Sequence, residues 1–452
     1  FRRDFRVKDN LGLHECFQYA NKHKCKIIPA FIIDAQQVNK NAYFSNSSFQ
    51  FLSESIVDLN KQIGKSILVY QGDDIFSYLK DYNIDAVFSN KDFTPYAKHR
   101  DSILERECNK RNIKCKFHED YTLLDLDKVV SGTNSFYKVF TPFYNKAIQK
   151  DIKKVKNFYE RNLDYFIQVQ SNIQLKDLYV HNNSPIISGG REEAWNRLKD
   201  NSFHNYKKTR NFPYRKTTTM MSAYLKYGCI SIREMYWYIY NKYGKDHELI
   251  RQLFWKEFYM YITHHFPHVL EGQINNNKDN SVFKISLKNK IKWQNNKDLF
   301  HSWCSGTTGY PIVDAGMRQL NTTGFMHNRL RMITSMFLIK HLHIDWRWGE
   351  KYFATKLIDY DPSSNNGGWQ WSAGTGTDFK NYYRMFNPWT QTERFDIGCN
   401  YIKEWVPELK EIPVIHILSW YKSFKLHKGV YHPPIVNHQE QREKTLQQIY
   451  TK

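Results

Sequence analysis

Two segments with a helical pattern carry an unusual mixture of polar and aromatic side chains on one face. In ELIRQLFWKEFYMYI, Gln252 and Trp255 are three residues apart and therefore share a helix face. In HNRLRM, Asn328, Arg331 and Met332 are spaced at i, i+3 and i+4. An amide, an indole, a guanidinium and a thioether are an unusual set for a core stripe. A helix packed beneath a polar rim is the simpler interpretation of either segment taken alone.

The stretch DYDPSSNNGGWQWSAGTGTD (359–378) places two carboxylates before amides, glycines and two indoles. Glycines allow a ligand to approach the backbone closely, and Asp359 and Asp361 could hydrogen-bond the edge of a heterocycle. Trp369 and Trp371 are two residues apart and point in different directions in either a helix or a strand. One could face a cofactor and the other a second ligand. Paired carboxylates also serve glycosidases, but the helical pattern and basic composition argue against that chemistry.

The segment KTTTMMSAYLKYG (216–228) groups three threonines and a serine around a predicted helix start. Hydroxyls and free N–H groups at a helix N-terminus suit phosphate oxygens, whereas ordinary N-capping explains the same residues without a ligand. His14 and Cys16 lie close in sequence, but no second ligand pair accompanies them, so we expect no metal site. No order of Ser, His and Asp supports a hydrolytic triad.

The composition indicates a polyanionic partner. The 452 residues include 66 Lys and Arg against 45 Asp and Glu, a net charge of +21. Aromatic residues reach 16%, which suggests a stacking site or an aromatic redox path, although a bulky core is an alternative explanation. Seven cysteines without a CxxC pair predict reduced thiols and an intracellular protein. We expect no membrane span, since no apolar run approaches about 18 residues, and no secretion signal. The opening segment FRRDF has the pattern of residues that follow a β-strand. We therefore expect that part of the natural N-terminus, including that strand, is missing.

The first 120 residues alternate buried strands with amphipathic helices, which predicts a doubly wound parallel α/β domain. The predicted strands are 26–34, 66–71, 86–90 and 113–118. The absence of GxGxxG removes support for a nicotinamide site. The helical period dominates after Gly190. We therefore expect an α/β domain over 1–121, a wrapping connector over 122–190 and a larger all-helical domain over 191–452.

Taken together, these segments resemble the photolyase/cryptochrome family, and within it the class I DNA photolyases that repair cyclobutane pyrimidine dimers. The matching segments include FYKVFTPFYNKA, YKKTRNFP, TTMMSAYLKYGCIS, KWQNNKDLFHSW, TGYPIVDAGMRQLNTTGFMHNRLRM, LIDYDPSSNNGGWQWSAGTGTD and YRMFNPWTQTERFD. The resemblance implies light-driven electron transfer from reduced anionic FAD to a flipped-out dimer in UV-damaged DNA. It also implies a helical FAD-binding domain and an N-terminal domain for a second, antenna chromophore.

The resemblance assigns each candidate residue a role. Asn365 lies by the flavin N5, and Arg331 pairs with Asp359 over the flavin ring. The implied FAD contacts are Tyr206, Thr218, Thr219, Met220, Met221, Ser222, Asn328, Arg331, Asp359, Tyr360, Asp361 and Asn365. The implied lesion and DNA contacts are Gln252, Trp255, Asn328, Arg329, Met332, Trp371 and Arg384. The implied electron chain to oxidised flavin is Trp369, Trp346 and Trp293.

Several positions depart from the family pattern. Met220 stands where the phosphate loop usually has Arg, and Gln252 stands where many dimer photolyases have Glu and where (6-4) photolyases and animal cryptochromes have Gln. The His pair of (6-4) enzymes is absent from MHNRLRM, which favours dimer repair. Where folate-binding members carry a Glu, this sequence has Tyr96 and Ala97, which argues against a folate antenna. The antenna pocket could instead hold a deazaflavin or a flavin, or be empty.

Three readings of function follow. The first is dimer repair on DNA, in duplex form, by a monomer located wherever the DNA is. The second is (6-4) repair or a non-repairing cryptochrome-like photoreceptor. The third is a DASH-type enzyme acting on single strands. Asn365, in place of the Asp or Cys of plant and animal cryptochromes, favours repair.

Overall fold

Four short parallel strands alternate with helices in the first 118 residues. The chain is described by a computed structural model that covers residues 1–38, 41–156, 163–271, 292–377 and 384–450. The strands are β1 (Ala30–Ile33), β2 (Leu68–Gln71), β3 (Ala86–Asn90) and β4 (Lys114–His118). Each lies inside a segment predicted from sequence. The α/β class of this region is thereby confirmed.

The strands pair two by two within the described residues, rather than as one continuous sheet. β1 lies parallel to β2, with Ala30 opposite Leu68. β3 lies parallel to β4, with Ala86 opposite Lys114. The intervening crossovers are helical, as parallel pairing requires.

The crossover helix Asn46–Ile63 has the end caps and the apolar spacing by which a helix is predicted from sequence. Its first turn is capped by the Ser45 hydroxyl, which accepts from the Ser48 N–H at 3.2 Å, and Gly64 closes it at φ +74°. Apolar residues recur at helical spacing on the buried face. They are Phe49, Leu52, Ile56, Leu59 and Ile63.

The segment between the α/β region and the helical region is less regular but makes specific contacts. It contains the helix Phe140–Ala147 and 3-10 turns at Leu126–Lys128, Leu163–Tyr165 and Leu175–Leu178. Ile27 forms a parallel bridge with Phe166, so this segment returns along the strands. The boundaries of the predicted connector, 122–190, stay a prediction.

Among the described residues after Gly190, the regular structure is helical, which confirms the predicted all-helical region. The longer described helices are Arg191–Lys199, Ile232–Tyr243, Glu248–His265, Lys297–Ser305, Pro311–Thr323, Asn328–Lys340, Trp346–Lys356, Pro362–Ala373, Pro388–Phe395 and His438–Tyr450. The shorter ones are Tyr206–Thr209, Ser222–Tyr227, His268–Glu271, Asn400–Trp405, Val414–Leu418 and Trp420–Ser423, with 3-10 turns at Pro213–Arg215, Pro407–Leu409 and Phe424–His427. The helices of the first region are Leu11–His23, Ala35–Val38, Asn46–Ile63, Ile75–Tyr78 and Pro95–Lys110. None of the helices in the described residues is long and apolar enough to cross a membrane.

Two large apolar cores hold the molecule together. The first joins the α/β region to helical segments as far as Leu270 and also includes Ile358, and the second is built from residues between Trp303 and Tyr431. Trp255 packs at the margin of the first core and Trp371 at the margin of the second. The candidate residues for stacking therefore come from the edges of two separately packed bodies of side chains.

A buried ion network fastens the N-terminal segment to the helical region. Arg233 donates to Asp9 at 2.9 Å and to Asp120 at 2.7 Å, and Arg6 pairs with the same Asp120. All four side chains are at most 2% exposed. Removing one partner of such a network costs roughly 3–5 kcal/mol, because it leaves an uncompensated buried charge.

Candidate functional site

The helix Pro362–Ala373 presents two different faces through two adjacent glycines. The Asp361 carboxylate caps it by accepting from the Ser364 N–H at 3.0 Å. A Cβ at Gly367 would lie 2.2 Å from the Tyr259 ring, so this glycine permits close helix packing. A Cβ at Gly368 would meet no atom within 4 Å, which means that open space adjoins the backbone there. The Gly368 face is therefore available to a ligand.

Asn365 lies three residues before Gly368 on this helix and is held by a buried carboxylate. Its Nδ2 donates to Glu350 Oε1 at 3.0 Å and to the Glu350 carbonyl at 3.2 Å. The Tyr360 hydroxyl lies 3.4 Å from the same Oε1. Because the amide nitrogen is committed to Glu350, the amide presents its oxygen on the other side. Glu350 was not among the predicted site residues, although its place four residues after Trp346 puts both on one helix face.

Arg331 and Asp359 form an ion pair, as the sequence reading proposed. Arg331 Nη2 lies 2.9 and 3.0 Å from the two carboxylate oxygens, and its Nε donates to the Met326 carbonyl at 2.8 Å. The Asp359 side chain is 3% exposed and that of Arg331 is 26% exposed. The guanidinium is therefore fixed at one end and still reachable at the other.

Asp361 is committed to the protein itself. One oxygen caps the helix, and the other pairs with Arg3, which also lies 3.3 Å from Asp92. Burial alone would raise the pKa of the Asp361 carboxyl, but the Arg3 guanidinium lowers it to about 2. Asp361 thus joins the N-terminal segment to the helix Pro362–Ala373. Its predicted contact with the cofactor stays a prediction.

The segment 217–222 forms an irregular turn before the helix Ser222–Tyr227. Met220 adopts a positive φ of +54°, and the Met221 N–H donates to Thr219 Oγ1 at 3.4 Å. Thr217 Oγ1 is buried and has no hydrogen-bond partner among the described residues. Thr218 is half-buried, whereas Ser222 is exposed. Free hydroxyls and N–H groups at this turn are suited to phosphate oxygens.

Arg197, from the helix Arg191–Lys199, supplies a guanidinium beside this turn. Its Nη1 lies 3.6 Å from Met220 Sδ, and its Nε is buried with no partner among the described residues. Arg197 was not among the predicted site residues, because it lies 20 or more residues before the threonines. Tyr206, the other residue predicted here, is 9% exposed and begins the short helix Tyr206–Thr209.

The predicted lesion-stacking residue Trp255 already stacks on a protein ring. Its ring lies 3.6 Å from that of Phe140, with an interplanar angle of 7°. Only one face of the indole is therefore left for a base. Gln252, one turn earlier, donates from Nε2 to Glu248 Oε1 at 2.9 Å, and Glu248 pairs with Arg210 at 3.0 Å. The Gln252 amide must turn from Glu248 before it can donate to a ligand.

The start of the helix Asn328–Lys340 carries the next group of predicted contacts. Asn328 is exposed, and its Nδ2 lies 3.9 Å from Met332 Sδ. Arg329 instead donates to Asn211 at 2.8 Å and lies 4.3 Å above the Phe395 ring. Asn328 and Met332 are therefore brought together, whereas Arg329 is directed to other partners.

A cluster of arginines surrounds Arg329. Burial, together with the charges of Arg394, Arg210 and Arg384, lowers the pKa of the Arg329 guanidinium to about 10. Arg384 is exposed and lies 5.8 Å from the Trp371 ring. This concentration of positive charge beside a half-buried indole suits a phosphate backbone with a base stacked next to it.

The three tryptophans proposed as an electron chain differ in depth. Trp369 is 2% exposed and Trp346 is 5% exposed, whereas Trp293 is half-buried. Trp369 packs edge-on against Phe353 at 5.0 Å and against Trp303 at 6.1 Å. A Cβ at Gly349 would lie 2.1 Å from the Trp369 ring, so glycine is needed there. Solvent exposure therefore increases from Trp369 through Trp346 to Trp293.

Comparison with known proteins identifies the family. Residues 249–451 match the FAD binding domain of DNA photolyase, and residues 1–158 match the DNA photolyase domain. The deoxyribodipyrimidine photo-lyase of Buchnera aphidicola from Acyrthosiphon pisum is 34% identical, over 99% of this chain and 95% of its own. That of Escherichia coli K12 is 32% identical, over 99% and 96%.

Solved structures agree over the whole chain. An archaeal photolyase from Sulfolobus tokodaii with two FAD molecules matches with a TM-score of 0.86 and 34% identity, covering 100% of this chain and 99% of its own. The cryptochrome of Synechocystis sp. PCC6803 matches with a TM-score of 0.85 and 27% identity, covering 99% and 97%. With family domains at both ends and relatives above 30% identity along its full length, the chain belongs to the DNA photolyase family.

Proposed function

We propose that the protein is a deoxyribodipyrimidine photo-lyase, which uses light and FAD to split cyclobutane pyrimidine dimers in DNA. The observation that carries the proposal is the arrangement around Asn365 and the Arg331–Asp359 pair, in a chain that is similar over its full length to curated photo-lyases. The likeness to the Synechocystis cryptochrome is a likeness of fold, so the assignment depends on the site and on the curated relatives.

The residues present fit a flavin dinucleotide. Open space borders Gly368, where a bulkier residue would fill the cradle. Thr217 Oγ1 and Arg197 Nε are buried polar atoms without partners among the described residues, and an orphaned polar atom of this kind is costly unless a ligand satisfies it. We assign the phosphates to the 217–222 turn, with Arg197 in the place of the loop arginine that Met220 replaces. The flavin ring is assigned to the face that carries Asn365.

The chain's own residues tune this site by charge and by hydrogen bonding. When bound and reduced, FAD supplies the photoexcited electron that opens the dimer and takes it back afterwards. Glu350 fixes the orientation of Asn365. Arg331 places a positive charge in a partly desolvated site, where it stabilises a neighbouring negative charge more strongly than it would in water. Asp359 holds that guanidinium in position.

The DNA side is assigned to the rim formed by Trp255, Trp371 and the arginine cluster. Phe140 backs Trp255, which keeps the indole rigid and leaves one face for a flipped-out base. Trp371 and Arg384 lie together and supply a second stacking surface next to a phosphate contact. Absence of the (6-4)-type His pair from MHNRLRM supports dimer repair over (6-4) repair. We propose that the enzyme acts on duplex DNA as a monomer.

The α/β domain, which we propose spans residues 1–121, is assigned to an antenna pigment other than folate. Where folate-binding relatives carry Glu, this chain has Tyr96, whose hydroxyl is bound to the Asp34 carboxylate. Desolvation and that carboxylate raise the pKa of Tyr96, so this position offers no anion to a folate. Pigments released from the purified protein and separated by chromatography test the assignment, and a bound folate would contradict it.

One assay tests the proposed reaction. Pre-reduced protein is illuminated anaerobically with three separate oligonucleotides: a duplex with one cyclobutane dimer, a single strand with the same dimer, and a duplex with one (6-4) product. The products are separated by chromatography. Restoration of two thymines, dependent on light and on reduced flavin, is expected. Repair of a (6-4) product instead, repair of single strands alone, or no repair at all would each reject the assignment in favour of a (6-4) photolyase, a DASH-type enzyme or a photoreceptor, respectively.

A further inference from the structure

A cluster of three potential metal ligands lies apart from the flavin and DNA sites. Asp127, His264 and His265 each offer one ligand atom, and these atoms lie within 4.8 Å of one another. Asp127 belongs to the 3-10 turn Leu126–Lys128, and the two histidines end the helix Glu248–His265. His264 is nine residues beyond Trp255 on this helix, a rise of about 13 Å. The cluster therefore does not share the lesion pocket.

The ligand atoms are already close to the spacing that a metal requires. His264 Nε2 lies 2.9 Å and His265 Nδ1 lies 4.0 Å from Asp127 Oδ1. Zinc bonds of ~2.0–2.1 Å at tetrahedral angles separate neighbouring ligand atoms by about 3.3 Å. A shift of the exposed Asp127 oxygen by a fraction of an ångström moves both of these distances towards that value. The two imidazole nitrogens, which lie within 4.8 Å of each other, must close any remaining separation by side-chain rotation. Two imidazoles and one carboxylate are a donor set used by first-row divalent metals.

His265 is held in the protonation state that a ligand needs. Its Nε2 lies 3.2 Å from the Leu126 carbonyl, which can only accept, so Nε2 carries the proton and Nδ1 carries the lone pair. Phe136 stacks on the ring at 3.6 Å and fixes its plane. The lone pair on Nδ1 is thus directed at the Asp127 side of the ring.

His264 is held by a competing cation. The Lys98 ammonium lies 3.0 Å from His264 Nδ1 and can only donate to it, so His264 Nε2 carries the proton that binds Asp127 Oδ1. Metal binding through Nε2 requires that proton to move to Nδ1 and the exposed Lys98 side chain to turn away. Phe93 packs edge-on against the imidazole at 5.3 Å and keeps the ring in place during this exchange.

We propose that Asp127, His264 and His265 form a binding site for a divalent first-row transition metal such as Zn²⁺, with water completing the coordination. The site joins the turn that follows the α/β region to the end of a long helix of the helical region. A bound metal would therefore stabilise the contact between these regions, since a ligand that binds only the folded state raises its stability. Lys98 opposes the metal by its charge and by occupying His264 Nδ1.

Zinc binding to the FAD-loaded, tag-free full chain, treated with a chelator and then dialysed, tests the proposal by isothermal titration calorimetry. We expect one equivalent of Zn²⁺ to bind. Asp127→Asn, His264→Gln and His265→Gln should each weaken binding by on the order of tenfold or more. His268→Gln, which changes a nearby histidine outside the cluster, should leave binding unchanged and serves as the matched control.

Lys98→Met separates a metal site from a merely structural cluster. This variant keeps the length of the side chain and removes the competing charge, so it should bind Zn²⁺ several-fold more tightly, whereas a structural defect would weaken binding. Flavin absorbance shows that each variant is folded, and no step of the test uses repair, so a failure of the proposed reaction leaves it intact. Absence of binding at micromolar zinc, wild-type affinity in either histidine variant, or unchanged affinity in Lys98→Met would each overturn the site.

Discussion

The amide nitrogen of Asn365 lies 3.0 Å from a carboxylate oxygen of Glu350, a residue that is 1% exposed. Hydrogen bonds to a charged acceptor contribute roughly 1.5–3 kcal/mol. The contact therefore decides which end of the Asn365 amide faces the side of the helix to which we assign the flavin. The contact links Asn365, which has an implied role beside the flavin, to Glu350, a buried carboxylate that was not predicted from the sequence.

Glu350→Gln should weaken control of the Asn365 orientation, because a glutamine amide can present either nitrogen or oxygen to it. We expect the variant to bind FAD but to lose its reduced form to oxygen several-fold faster. Stopped-flow measurement of flavin reoxidation checks this. Tyr360→Phe removes the longer 3.4 Å contact to Glu350 and leaves the contact between Glu350 and Asn365 in place, so it should behave much more like the wild type. Equal reoxidation rates in Glu350→Gln and wild type would show that this carboxylate does not tune the flavin.

Trp369→Phe should abolish photoreduction of oxidised FAD and spare repair by chemically pre-reduced enzyme. Trp369 is buried against Phe353, whereas Trp293 at the far end of the proposed chain is half-buried, which is the order needed to draw electrons from the surface. Flavin absorbance under illumination with a reductant measures the loss. Trp348→Phe, two residues from Trp346, is the control and should photoreduce normally. Photoreduction at the wild-type rate in Trp369→Phe would remove this residue from the chain.

Gln252→Ala should lower dimer affinity and splitting efficiency by roughly 1–3 kcal/mol, or about 5- to 150-fold, for an unsatisfied polar group. The Gln252 amide donates at any pH, so wild-type repair should change little through the carboxylate range. Gln252→Glu should repair less well as pH rises and its carboxylate ionises, because only the protonated acid can donate. Repair quantum yield against pH, on pre-reduced enzyme, compares the three proteins. Wild-type yields from Gln252→Ala would mean that this side chain does not touch the lesion.

Arg384→Ala should weaken binding to damaged and undamaged duplex alike and reduce the slope of log affinity against log salt by about 1. The reason is that exposed Arg384, next to Trp371, is assigned to a phosphate and carries no base specificity. Fluorescence anisotropy at several salt concentrations measures both quantities. Lys61→Ala, which removes an exposed charge from the helix Asn46–Ile63, should keep the wild-type slope. A wild-type slope for Arg384→Ala would place Arg384 away from the phosphates.

His327→Asn should make the protein more resistant to acid. Burial, with the charges of Arg329 and Arg331, lowers the pKa of His327 to about 4 in the folded state, against an ordinary value of 6.5. The unfolded chain therefore binds the extra proton first, and stability is lost as pH falls from about 6.5 towards 4. The full effect is about 3 kcal/mol. Asparagine preserves the N-cap of the helix Asn328–Lys340.

Urea unfolding of the FAD-loaded protein between pH 4 and 7 measures this linkage. The wild type should lose stability over that interval, and His327→Asn should lose less. His204→Asn, which changes an exposed histidine, should follow the wild type. Parallel curves for His327→Asn and wild type would show that His327 does not titrate as its burial implies.

Local patterns in the sequence determined the strands and the main helices. Strand and helix formation depends on neighbours within a few residues, so alternation of apolar residues and caps such as Ser45 and Gly64 could be read directly. The family motifs likewise placed Asn365, Arg331 and Asp359 in one site, and the structure brings Arg331 and Asp359 into contact. These features depend on residue type and spacing.

Tertiary packing decided which of those side chains are still available to a ligand. Asp361 is taken by Arg3, which is 358 residues away, and Gln252 is held by Glu248. The pairing of the strands two by two, and the position of Arg197 beside Met220, likewise follow from contacts between distant segments. The residue type determines which functional group a side chain carries. Its hydrogen-bond and ion-pair partners depend on which segments of the folded chain pack against it. For that reason the sequence identified the groups of this site, and only the folded chain shows how each is oriented.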